Sequence, residues 1–106
     1  MHLSKASKGV LFPGTVSDEH FGLLIELSGM HSEKVINSLR EHLVTGAPRK
    51  DVCEKYNVSQ GYFSGALMRI QHLSKSVSNM ACYYIQEQQK HWSYEDPFYR
   101  INTDED

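Results

Sequence analysis

At 106 residues, 40% hydrophobic and 23% charged, the chain has room for one domain with a modest core and none for a second. No apolar run approaches the ~20 residues of a membrane span, and the opening MHLSKASKGVLF lacks the apolar stretch of a signal peptide, so a cytoplasmic protein is expected. The net charge of −2 excludes a uniformly basic nucleic-acid binder, but residues 30–85 carry seven basic side chains against four acidic ones while residues 86–106 are net −4.

Residues 1–16 hold Gly9, Pro13 and Gly14 without a sustained period and read as a flexible arm, its end pinned by Leu11 and Phe12. Ser17 caps a first helix with Asp18 and Glu19 in its opening turn, where acids suit the helix dipole. Phe21, Leu23, Leu24, Ile25 and Leu27 make this helix apolar over more than half its circumference, which places it centrally in the core or against a second subunit. Ser28–Gly29 ends it. Ser32 caps a second helix that buries Val35, Ile36, Leu39 and Leu43 and stops at Gly46, with Lys34, Arg40 and Glu41 on its solvated side.

The next stretch, PRKDVCEKYNVSQGYFSGALMRIQHL (Pro48–Leu73), has the order of a helix–turn–helix. Pro48 opens a helix running to Tyr56, with Val52, Cys53 and Tyr56 inward. Cys53 is small where two crossing helices approach. Asn57 tolerates the left-handed turn conformation, Val58 plugs the gap, and Ser59 caps the following helix. That helix buries Phe63, Ala66, Leu67, Ile70 and Leu73. An ordinary pair of packed helices is the competing interpretation. Beyond Leu73 the apolar rhythm continues through Val77, Met80, Ala81 and Tyr84, but Ser74, Ser76, Ser78 and Asn79 are mediocre helix formers. The helix either continues to about Gln88 or breaks and restarts. The domain is thus expected over residues 17–88, with an acidic aromatic tail over residues 89–106.

Catalytic signatures are missing: no glycine-rich phosphate loop follows a strand, and no nucleophile–base set matches a family pattern, so no enzyme is expected. Cys53 and Cys82 lack zinc spacing and are expected as small core residues. The six histidines form no HxxxH or HxH pair and are expected as scattered surface or boundary residues. No metal, cofactor or small-molecule ligand is expected.

For DNA, Arg49, Lys50 and Lys55 on the first helix of the pair would neutralise phosphates. On the second, Ser59, Gln60, Gly61, Ser64, Gly65 and Met68 alternate with the buried set and form the outward face. Gln60 and Ser64 can hydrogen-bond bases or phosphates, Tyr62 can stack, and Arg69 suits a phosphate clamp. Gly61 and Gly65 each cost about 1 kcal/mol against Ala in a helix, which suggests close approach of a DNA backbone or another helix, or a tolerated defect. No Arg or Asn opens the reading helix for bidentate base contacts, which points to shape readout or to several protomers on repeated sites. The apolar first helix (Phe21, Leu24, Ile25) and Tyr83–Tyr84 offer more apolar surface than one small domain covers, so a dimer or larger assembly is expected.

The segment Leu11–Tyr84 resembles the PapB-type transcriptional regulators of bacterial fimbrial and adhesin operons. The resemblance is carried by Pro13–Gly14 with Ser17, His20, Phe21 and Leu23–Ile25; by Ser28, His31, Ser32 and Lys34–Ile36; by Arg49, Lys50 and Val52–Tyr56; by Gly61, Phe63 and Ser64; and by Tyr83–Tyr84. Cys82 departs from the family pattern, which has Pro there; the arms outside this segment match nothing usable. The resemblance implies a small all-α protein that binds AT-rich DNA near adhesin promoters, contacts the minor groove, assembles as an oligomer and switches fimbrial expression. The rival is a protein–protein module whose exposed face binds a partner regulator.

Overall fold

The computed structural model describes residues 8–92, with side chains described through Ile85. The described residues form helices and loops without a strand. Helix α1 spans Asp18–Ser28, α2 Glu33–Arg40, α3 Arg49–Tyr56 and α4 Gln60–Trp92, with a π-helical turn at Glu41–Thr45 between α2 and α3. The tail beyond Trp92 lies outside the described residues.

The ends of α1 follow from its local chemistry. Ser17 Oγ accepts from the His20 amide at 3.1 Å, and Gly29 closes the helix at φ 74°, its N–H reaching the Ile25 carbonyl. Ser32 stands at the cap position of α2 without a side-chain cap hydrogen bond. The core is built from Phe21 and Leu24 of α1, Val35 and Leu39 of α2, Leu43 of the π turn, Val52 and Cys53 of α3, and Phe63, Ala66 and Ile70 of α4. Arg40 ties α2 to α1, pairing with Asp18 while its guanidinium lies over the Phe21 ring.

Three expectations are corrected here. First, a single helix from Ser32 to Gly46 gives way to the π turn. The carbonyls of His42 and Leu43 accept from the amides of Gly14 (3.2 Å) and Val16 (3.1 Å), so the widened turn feeds the N-terminal segment instead of its own ladder. His42 is consequently buried, not a boundary residue; its Nδ1–H donates to the Ala47 carbonyl at 2.9 Å and its ring meets Phe63 edge-on. Second, residues 8–16 of the expected arm lie on the domain. Leu11 and Val16 are buried, and the Gln71 side-chain amide grips Leu11 from both sides, accepting its N–H at 2.8 Å and donating to its carbonyl at 2.7 Å. Phe12, half exposed, takes no part in the pinning. Third, Cys53 is a core residue but Cys82 is exposed, its thiol donating to the Asn79 carbonyl with Lys8 Nζ 3.6 Å away.

Helix α4 is unbroken through the serines, which settles the alternative left open in sequence, and it runs past residue 88, where the domain was expected to end. Ser74 is buried in the body of the domain, and a Cβ on Gly9 (φ 77°) would come within 2.7 Å of the Lys75 Cα, so the N-terminal segment is pressed against α4 at this point. At 1.5 Å per residue the 33-residue helix is about 50 Å long. No residue of α4 after Ser74 is buried as far as Ile85. From Met80 to Ile85 the helix is largely exposed.

Candidate nucleic-acid interface

The helix pair α3–α4 has the turn that the sequence prescribes. Asn57 sits at φ 57°, ψ 50°, alone among the described non-glycine residues in having positive φ. Its N–H and that of Val58 reach back to the carbonyls of Glu54 and Cys53. Val58 is buried between the helices. Ser59 Oγ accepts the Tyr62 amide at 3.1 Å as the cap of α4, which leaves its O–H free to donate.

The basic candidates divide. Lys50 is exposed and forms no ion pair among the described residues. Arg49 is partly covered: its guanidinium donates to Ser64 Oγ and lies 5.2 Å over the ring of the fully buried Phe63. It therefore clamps the start of α3 to α4 as well as carrying charge, and it holds Ser64 in place. Lys55 is committed to Glu41 Oε2 at 2.7 Å, which also accepts from the Tyr56 hydroxyl at 2.5 Å. These two hydrogen bonds hold the Glu41 carboxyl below the usual carboxylate range, the one from Lys55 first. The same contact with Glu41 raises both Lys55 and Tyr56. Lys55 is thus a brace between α3 and the π turn, a role that sequence spacing did not reveal because Glu41 is fourteen residues away.

On α4, Gln60, Gly61, Tyr62, Gly65 and Arg69 are exposed, as expected. A Cβ built on Gly61 or on Gly65 would meet nothing within 4 Å. No packing inside the protomer requires these glycines. Gly61 and Gly65 lie one turn apart on the outward side of α4, with the exposed Gln60 and Tyr62 flanking Gly61. Arg69, one turn beyond Gly65, lines with Leu27, Met68, His72, Leu73 and Ser76 a groove of about 550 Å³ between α1 and α4.

The expected oligomer surface is redistributed. Phe21 and Leu24 are 0% and 2% exposed, so both belong to the protomer's own core and neither is available to a partner. Ile25 packs partly against that core. The free apolar side chains of α1 are instead Leu23 and Leu27, on the opposite face of the same helix. Tyr83 and Tyr84 are free, 72% and 66% exposed. The signal for this division was present as the spacing of Leu23 and Leu27, four apart, but a helix apolar all round does not declare which stripe faces inward.

Among the described residues no group of three His, Cys, Asp or Glu side chains could hold a metal ion, and no helix is long and apolar enough to cross a membrane.

A family model for the PapB adhesin biosynthesis transcription regulatory proteins matches residues 1–84. The AFA-III adhesin operon regulatory protein of Escherichia coli is 45% identical over 87 residues, covering 82% of this chain and 86% of its own. The F1845 adhesin operon regulatory protein of the same organism is 49% identical over 74 residues, 70% of this chain and 87% of its own. The crystal structure of E. coli FocB superposes with a TM-score of 0.68 at 45% identity, covering 77% of this chain and 93% of that one. With four all-helical elements around a capped helix pair and relatives of this similarity, the chain belongs to the PapB family of adhesin biosynthesis transcription regulatory proteins.

Proposed function

We propose that this regulator acts on an adhesin or fimbrial operon by binding AT-rich duplex DNA at the promoter, as an oligomer, through the strip formed by Gln60, Gly61, Tyr62 and Gly65 with Lys50 and Arg49 beside it. The observation that carries the reading is the pair of open glycines. Each weakens α4, neither is needed for packing, and both lie on the outward side of the capped second helix of a helix–turn–helix. Bare backbone admits a phosphate–sugar chain more closely than any side chain would. With no Arg or Asn at the start of α4, discrimination comes from groove shape, and the narrow minor groove of AT-rich DNA suits such a strip. Lys50 supplies phosphate contact; Arg49 supplies charge while holding the helix pair together.

Lys50→Ala tests this, because the side chain is exposed and its loss leaves the core untouched. Binding to promoter and scrambled duplex should weaken alike. The slope of log affinity against log salt should flatten by roughly 1 per protomer engaged. A folded Lys50→Ala protein with wild-type affinity and slope would remove this face from DNA. Met68, 71% exposed next to Gly65, favours the second reading, a partner helix on the same strip. That binding would be insensitive to salt.

A further inference from the structure

Along α4 an exposed apolar edge leads into the groove that holds Arg69 and His72. Met80 and Tyr83, 50% and 72% exposed, continue the edge of the helix marked by Leu73 and Ser76, at spacings of three and four. No carboxylate lines the groove, and Arg69 forms no ion pair among the described residues. The chain beyond α4 has the complementary order. Residues 93–106 (SYEDPFYRINTDED) place Phe98, Tyr99 and Ile101 after Pro97, and Asp104, Glu105 and Asp106 after those. Five acidic side chains against Arg100 alone make this segment net −4. It lies beyond the family match, which ends at residue 84.

We infer that residues 97–106 fold back along α4 of the same chain, seat their acidic cluster at His72 and Arg69, and so guard the neighbouring DNA face. The guarding rests on the reading above that the outward side of α4 meets DNA. Pro97 cannot continue a helix and favours extended backbone at Asp96, which places the reversal within Ser93–Asp96. From Trp92 back to His72 and Arg69 is about 30 and 35 Å along the helix. The ten residues from Pro97 cover about 33–36 Å when extended. Asp104 to Asp106 therefore draw level with His72 and Arg69. Tyr99 and Ile101, two apart and on one side of an extended chain, pass along the edge at Met80 and Tyr83. Three acids against one arginine leave the filled site net negative. Gly65 is about 6 Å from Arg69 along the helix, inside the ~8 Å screening length of physiological salt, so a phosphate approaching Gly65 is repelled. The docked segment also takes Arg69 out of phosphate contact.

Two experiments on the full chain test it. In a Cys82→Ser background, with Cys53 buried, a nitroxide on Thr103→Cys should broaden the amide signals of Ser28, Arg69 and His72 in the absence of DNA. Signals that match those of the reduced label overturn the docking. Broadening that appears only when labelled chains are mixed with isotope-enriched unlabelled ones puts the segment on a second copy and overturns the same-chain assignment. The second experiment releases the segment without altering its charge. Phe98, Tyr99 and Ile101, all replaced by Ser, should abolish the broadening and tighten binding to promoter and scrambled duplex alike. The gain should be about threefold, as expected for a face left free about a third of the time. A folded triple variant that loses the broadening yet binds DNA as wild type does overturns the guarding. If Lys50→Ala removes this face from DNA, the docking still stands or falls on the broadening, which is measured without DNA.

Discussion

Replacing Gly61 and Gly65 by alanine should strengthen the fold and weaken the function, two effects of opposite sign from one methyl group at each site. Both positions are helical and open, so an added Cβ meets nothing inside the protomer. Gly65 lies within the continuous helix, where Gly→Ala is worth about 0.8–1.0 kcal/mol. Gly61 is the second residue of α4, in the turn already held by the Ser59 cap, so its gain should be smaller, about 0.5 kcal/mol. The double variant should therefore gain roughly 1.4 kcal/mol. For a domain of this size that corresponds to a rise in Tm of about 6–11 °C. Binding should move the other way. If DNA backbone approaches the strip closely, two methyl groups hold it off, and a loss of tenfold or more per site corresponds to about 1.4 kcal/mol. Thermal melts and promoter-fragment binding at fixed salt give both numbers on the same preparations. A stabilised variant that binds like wild type would show the glycines to be tolerated defects. A variant that loses stability would show that the strip is not open in the folded protein.

Two further outcomes follow from the turn and from the Glu41 brace. Asn57→Gly should be nearly neutral or mildly stabilising, whereas Asn57→Val should cost on the order of 1–2 kcal/mol, since a β-branched residue is forced into the left-handed region; equal melting temperatures for wild type and the Val variant would contradict this. Glu41→Gln should destabilise at neutral pH by an amount that disappears in acid. The folded carboxyl titrates below its ordinary value near 4.5, so its contribution is full above that value and is lost as pH falls through the lowered one. Denaturant titrations of both proteins at pH 7 and in stronger acid should show the gap closing; a constant gap would mean that Glu41 acts through shape alone.

The helix–turn–helix was legible because its signals are local. Asn57, Val58 and Ser59 specify the turn, the plug and the cap within three residues, and the structure uses them so. What sequence missed depends on contacts between distant segments. At the π turn, Gly14 and Val16 take the carbonyls of His42 and Leu43, 28 and 27 residues away. The serines that made the middle of α4 look breakable are held by the N-terminal segment, with Ser74 buried and Gly9 against Lys75. On α1, apolar residues all round left the inward face undetermined, and packing chose Phe21 and Leu24 over Leu23 and Leu27. At the candidate interface, Arg49, Lys55 and Ser59 have partners within the protomer that spacing alone does not disclose.

The grip of Gln71 on both polar groups of Leu11 also has a kinetic side. Helices α2 and α3 and the π turn between them pack as neighbours in the chain, and α1 meets α4 over a longer span, but this clasp joins residues sixty apart. Closing a loop of 60 residues costs about 1.4 kcal/mol more than closing one of 12, a modest sum that is nonetheless met before any compensating contact forms. The N-terminal segment is therefore expected to dock late, after the transition state, and to act on the unfolding rate. Removing the clasp with Gln71→Ala should speed unfolding while leaving folding nearly unchanged. The segment works as a latch on a domain that is already built.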